Sequence, residues 1–228
     1  MTDNSVRRTT GLAGAAIAGQ LLFIAGWLVL GMVEGHGYSA GRHDVSDLGA
    51  LTAHYATASR LTEGIGGALT IAFAVFVLRP SLRSAAGAWL VAASLPAFDT
   101  MSDAFFRLDC RAADSGCTTA EAAASWQGKA HFLCFGVAAL ATVVAPFVLS
   151  RAMRKVEGWH DLARPTWIFG IVLIAALVVT GATTGTAVQG WTQRGAIVLV
   201  ALGVSSLAWR VLRLESRPVR TAGLLAGR

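Results

Sequence analysis

Six runs of apolar residues set the pattern of this chain, at about 11–33, 58–78, 84–106, 126–149, 165–186 and 195–211, each bounded by charged or turn-forming stretches. At about 1.5 Å per residue each run crosses or nearly crosses a hydrocarbon layer of about 30 Å. The pattern predicts an all-α polytopic membrane bundle of six transmembrane helices. It forms a single domain over 11–212, between a polar N-terminal segment, 1–10, and a basic tail, 213–228. The first run outlasts the apolar core of a signal peptide. It ends in Met32-Val33-Glu34-Gly35-His36 with no small-residue cleavage site, so it reads as a retained span.

Polar punctuation places the ends. Arg79-Pro80 and Arg83 stop the second run, Pro165 suits a first helical turn, and the short connection 187–194 makes the last two spans antiparallel neighbours. The third run holds Pro96 and then Asp99, Asp103 and Arg107 at i, i+4 and i+8, a charged face that cannot look at lipid. Between runs one and two lies Gly41-Arg42-His43-Asp44-Val45-Ser46-Asp47-Leu48-Gly49-Ala50-Leu51. This stretch predicts a short interfacial helix capped by Ser46 or Asp47, with Gly49 allowing a neighbour to come close.

Composition agrees with this architecture and adds an orientation. The chain is 54% hydrophobic and 14% charged, which excludes an ordinary soluble domain. Of its 19 Lys and Arg, 13 fall at one set of span ends: Arg7, Arg8, Arg79, Arg83, Arg151, Arg154, Lys155, Arg164, Arg210, Arg213, Arg217, Arg220 and Arg228. The other ends hold most of the carboxylates. Positive charge sorts to the cytoplasm, so both termini are expected there, in a multi-pass protein of the plasma membrane. A net charge of +6 arranged this way calls for no nucleic acid. The expected partners are membrane lipids and a small lipid-like ligand; the oligomeric state is left open.

The same sorting gathers the polar residues at the outer end. Cys110 and Cys117 flank a polar loop and form a disulfide if that loop meets an oxidising compartment; two free thiols are the alternative. His131 opens the fourth span at the height of Asp99 and Asp103, where an imidazole and a carboxylate can bind metal, relay protons or act as a base. The plainer readings are Asp103 paired with Arg107, Asp99 near the interface or paired with Arg60, and His131 bonded to a loop carbonyl or carboxylate. His36, His43 and His54 lie on the same side, but no HxxxH or HExxH spacing identifies a metal, and no cofactor is named. Ser46 lacks the GxSxG surroundings of a nucleophile elbow.

Tyr38-Ser39, Ser46-Asp47-Leu48-Gly49, Asp109-Cys110, His131 and Gln193-Arg194 together resemble a family of bacterial and archaeal six-span membrane proteins catalogued as domain of unknown function 998. The likeness covers about 11–211, and Leu108 stands where that family has proline. More distantly, Ser-Asp-Leu-Gly resembles a segment of six-span eukaryotic proteins linked to lipid-anchor remodelling and autophagy, which implies contact with lipids. Two functions follow as expectations. One is a hydrolase-like enzyme acting on a lipid or isoprenoid, with Asp47, Asp109 and His131 as acid, base or metal ligands. Ser46, Asp99, Asp103, Gln193 and Arg194 would then hold the ligand, Arg194 taking an anionic head group. The other is a non-catalytic lipid-binding, sensing or assembly protein using the same groups. A small transporter ranks third, and an interhelical clamp is the plainest reading of the polar cluster.

Overall fold

A computed structural model describes residues 3–35 and 37–216, which are helices and loops with no strand among them. Among the described residues five helices are long and apolar enough to cross a membrane: α1 (Asp3–Val33), α2 (Ala56–Leu82), α6 (Trp126–Met153), α7 (His160–Ala182) and α8 (Gln189–Glu215). Their large exposed apolar side chains, among them Leu21, Phe76, Leu133, Leu140, Val178 and Leu202, coat the outside of the bundle. Lipid, not water, suits such a surface. His36 and the tail from 217 onward, both part of the sequence expectations, lie outside the described residues.

The third apolar run is not one helix. It folds as α3 (Ala85–Ala92), an extended Ser94, and α4 (95–102), whose first turn is a wide π turn. Pro96 explains the break, because it has no N–H to donate and its ring obstructs the preceding turn. The backbone groups freed there are satisfied by side chains from other helices, as apolar surroundings require. Leu95 N–H donates to Thr142 Oγ1 at 2.8 Å, and Gln20 Nε2 donates to the Pro96 carbonyl at 3.3 Å and to Thr70 Oγ1 at 2.8 Å. Gly67 on α2 makes room for α4: a Cβ there would lie 2.4 Å from Met101 N and 2.5 Å from Ala97 O.

Several predicted ends move. α2 runs through Pro80, which directly follows a wide π turn at Ala74–Leu78, and stops only where Arg83 turns left-handed. α7 begins at His160, which puts Pro165 inside the helix, and α8 begins at Gln189, six residues before the apolar run. A core of Phe73, Leu78, Leu82, Leu149, Met153 and Trp159 closes the arginine-rich end. At the opposite end the loops, a 3-10 turn (Ser46–Gly49) and α5 (Thr119–Ala122) fold over the bundle.

Candidate functional site

Below that loop layer, the break in the third run opens a cavity of about 490 Å³. Its polar lining comes from six helices: Gln20 of α1, Glu63 of α2, Asp99 of α4 with Asp103 just beyond it, His131 of α6, Thr180 of α7, and Gln189 and Gln193 of α8. Asp44 and Ser46 contribute from the loop layer, while Phe132, Phe135, Leu177 and Ile197 supply apolar wall. His131 Nδ1 stands 2.8 Å from Asp103 Oδ1 and 3.3 Å from the Phe106 carbonyl oxygen. Its Nε2 has no hydrogen-bond partner among the described residues. Ser59 Oγ donates to Glu63 Oε1 at 3.1 Å, but Glu63 Oε2 and Asp99 Oδ1 are buried with no hydrogen-bond partner among the described residues.

The loop over the cavity is clamped by the first turns of α8. Arg194 is 3% exposed and its Nη1 donates to the carbonyls of Ala40 (2.5 Å), His43 (2.8 Å) and Gly190 (3.1 Å). Its Nη2 donates to the Tyr38 hydroxyl, and its guanidinium lies over the Trp27 ring. Gln193 accepts from Val45 N–H at 2.7 Å, and Gln189 donates to Asp44 Oδ2 at 2.7 Å. This intimacy needs Gly190, where a Cβ would fall 2.3 Å from the Ala40 carbonyl. Burial sets the protonation of the loop: it raises Tyr38 to about 12, keeps Asp44 above its ordinary value despite the Gln189 bond, and, with Arg42 nearby, lowers His43.

Arg111 centres a second network, 6% exposed. It donates to Glu34 Oε1 at 2.6 Å and, through Nη2 and Nε, to Asp114 Oδ1 at 2.6 and 3.0 Å. Glu34 also accepts from His54 N–H at 2.8 Å and Tyr55 N–H at 3.3 Å. Burial opposes the charge on Arg111, yet the Asp114 and Glu34 contacts raise its pKa, and the Arg111 bonds outweigh burial to lower Asp114. Cys110 and Cys117, Cα atoms 6.0 Å apart, form the disulfide that closes this loop. Asp47 reaches across to accept from Ala112 N–H at 3.2 Å, and burial pushes it up to about 6.

Of the sequence-predicted residues, His131, Asp99, Asp103, Ser46 and Gln193 meet at the cavity. Asp47, Asp109 and Arg194 do not line it. Asp109 accepts from Ser125 N–H at 2.6 Å, a bond that lowers its pKa, and so fixes the start of α6. The turn at Ser46–Gly49 forms, but neither Ser46 nor Asp47 caps it, because Val45 occupies the capping position and Asp47 is spent on Ala112. Asp103 pairs with His131 rather than Arg107, and Arg60 donates to the Ala104 carbonyl rather than to Asp99. Glu63 and Gln20 join the site without being among the residues expected there from the sequence. Their signal is present, a lone carboxylate and a lone amide inside apolar runs, where such groups seek a cavity or a partner. Among the described residues no group of three His, Cys, Asp or Glu is placed to hold a metal ion.

Fold and site together define a helical membrane protein with an acid-lined cavity between its helices, near the end that carries a disulfide-closed loop layer. The model of the family described as "Protein of unknown function (DUF998)" matches residues 17–224, and the chain belongs to that family. No curated protein and no solved structure matches it.

Proposed function

We propose that the cavity receives the polar end of a lipid-like molecule and that His131, oriented by Asp103, performs acid–base chemistry on it, as in a hydrolase. The observation that carries this reading is the 2.8 Å contact of His131 Nδ1 with Asp103 on a cavity with largely apolar walls. A carboxylate that holds one ring nitrogen orients the other toward a reacting group. Ser46 lines the same space. In this reading segment 85–102 is the sixth crossing, both termini are cytoplasmic, and the cavity opens toward the outer leaflet of the plasma membrane; the arginine-rich ends of the helices support that orientation.

The test is turnover of membrane lipid extract by the purified protein, followed by mass spectrometry. His131→Ala is expected to lower turnover about 100-fold or more with the fold intact. Unchanged turnover in that variant ends the acid–base role. A lipid that copurifies in stoichiometric amount and is never altered supports the non-catalytic binding reading instead, which the lack of a nucleophile motif around Ser46 favours.

A further inference from the structure

A second void bears on what the ligand is. A groove of about 460 Å³ runs between α6, α7 and α8 toward the arginine-rich end, lined by Leu149, Pro165, Phe169, Leu173 and Leu207 among others, with no ionisable residue. Pro96 and Val200 line both this groove and the polar cavity, so the two voids adjoin at the break in the third run, with these two side chains between them. An apolar space thus lies next to the polar compartment.

Carboxyl groups dominate the polar end. Asp44, Glu63, Asp99 and Asp103 line it, against His131 alone, and no Lys or Arg does. Three guanidiniums at this end are committed elsewhere: Arg194 to the Ala40, His43 and Gly190 carbonyls, Arg60 to the Ala104 carbonyl, Arg111 to Glu34 and Asp114; Arg107, whose Nε is buried with no hydrogen-bond partner among the described residues, does not line the cavity. Glu63, 2% exposed, keeps Oε2 without a partner, and so does Asp99 Oδ1. Buried acceptors left this way require donors. A phosphate or carboxylate head group brings only acceptors and a like charge. An ammonium brings three donors and the opposite charge.

We infer that the ligand is a long-chain primary amine, its ammonium seated among Asp99, Asp103 and Glu63 and its chain passing Pro96 and Val200 into the apolar groove. This rests on the reading of the cavity as a lipid-like ligand site and assigns it a head group opposite in charge to the anionic one that Arg194 suggested from sequence.

Binding of hexadecylamine, hexadecanol and hexadecyl phosphate to the full-length protein in a neutral detergent at about pH 7 tests it, by thermal shift and calorimetry. The amine is expected to bind at least tenfold tighter than the alcohol, and the phosphate not to bind. Glu63→Gln and Asp99→Asn should each remove most of the amine preference while hexadecanol affinity stays within about twofold. That retained affinity shows the variants are folded. Val200→Phe should weaken hexadecylamine and spare hexylamine. Equal binding of amine and alcohol, or tighter binding of the phosphate, overturns the amine assignment and leaves the lipid-site reading standing. If none of the three long-chain probes binds, both fail.

Discussion

Arg111 and Glu34 meet at 2.6 Å with both side chains almost wholly buried, and that contact joins the end of α1 to the disulfide loop 77 residues later in the chain. Arg111→Ala strips the buried Glu34 carboxylate of its counter-charge and is expected to cost about 3–5 kcal/mol. Glu34→Ala leaves Arg111 its two bonds to Asp114 and should cost less. Thermal unfolding in detergent measures both. The double variant should lose much less than the sum, because the second change removes the group the first one stranded.

Arg194 and Asp99 should respond in opposite directions. Arg194→Gln leaves the Ala40 and His43 carbonyls without their donor, and a loss of about 2–4 kcal/mol is expected. Asp99→Asn removes a buried carboxylate oxygen that has no hydrogen-bond partner among the described residues, so stability should hold or rise. If the polar cluster were only an interhelical clamp, both substitutions would destabilise. Melting curves of the two ligand-free variants separate the readings.

Asp47 ties stability to pH. Its carboxyl sits at about 6 in the folded loop against an ordinary 3.8, because burial disfavours the charge. Between these values the folded protein holds a proton that the unfolded chain has released. Stability from this residue is therefore greatest below the window and falls as pH rises through it, by about 2–3 kcal/mol in all. Asp47→Asn keeps an acceptor for Ala112 N–H and has no charge to bury. It should melt higher than the parent at about pH 7.5 and equally at about pH 4, with unfolding followed across that range.

Thr142 supplies the acceptor that the proline break in the third run leaves Leu95 N–H needing. Thr142→Val fills the same space without it, and a loss of about 1–3 kcal/mol is expected. Thr142→Ser should recover most of it. Denaturant or thermal unfolding of the three proteins decides the matter.

The five long helices were legible because each apolar run is long enough to have no other use, and turn residues mark its ends. Pro96 announced the third segment's weakness, yet the repair by Thr142 and Gln20 was not legible, since it depends on which helices pack beside the break. The acidic face of Asp99 and Asp103 followed from helical spacing alone. Asp47 and Asp109 each accept from a loop backbone N–H, a use the chain does not show, because in loops carboxylates are as readily used on backbone N–H groups as on ligands and the sequence does not tell which backbone will lie within reach. Glu63 is not legible as a site residue because, a few residues into an apolar run, it resembles an interfacial charge until α4 closes over it.

Val45 and Gln193 are separated by 148 positions in the chain, but the loop carrying one has its backbone held by the helix start carrying the other. Gln189, Gln193, Arg194 and the Trp191 N–H all engage 38–45, so neither piece has its native shape without the other. In chimeras assembled from relatives, 38–48 and 189–194 are consequently a single exchangeable part. A crossover that moves one without the other would misplace the roof of the cavity even where every helix is kept.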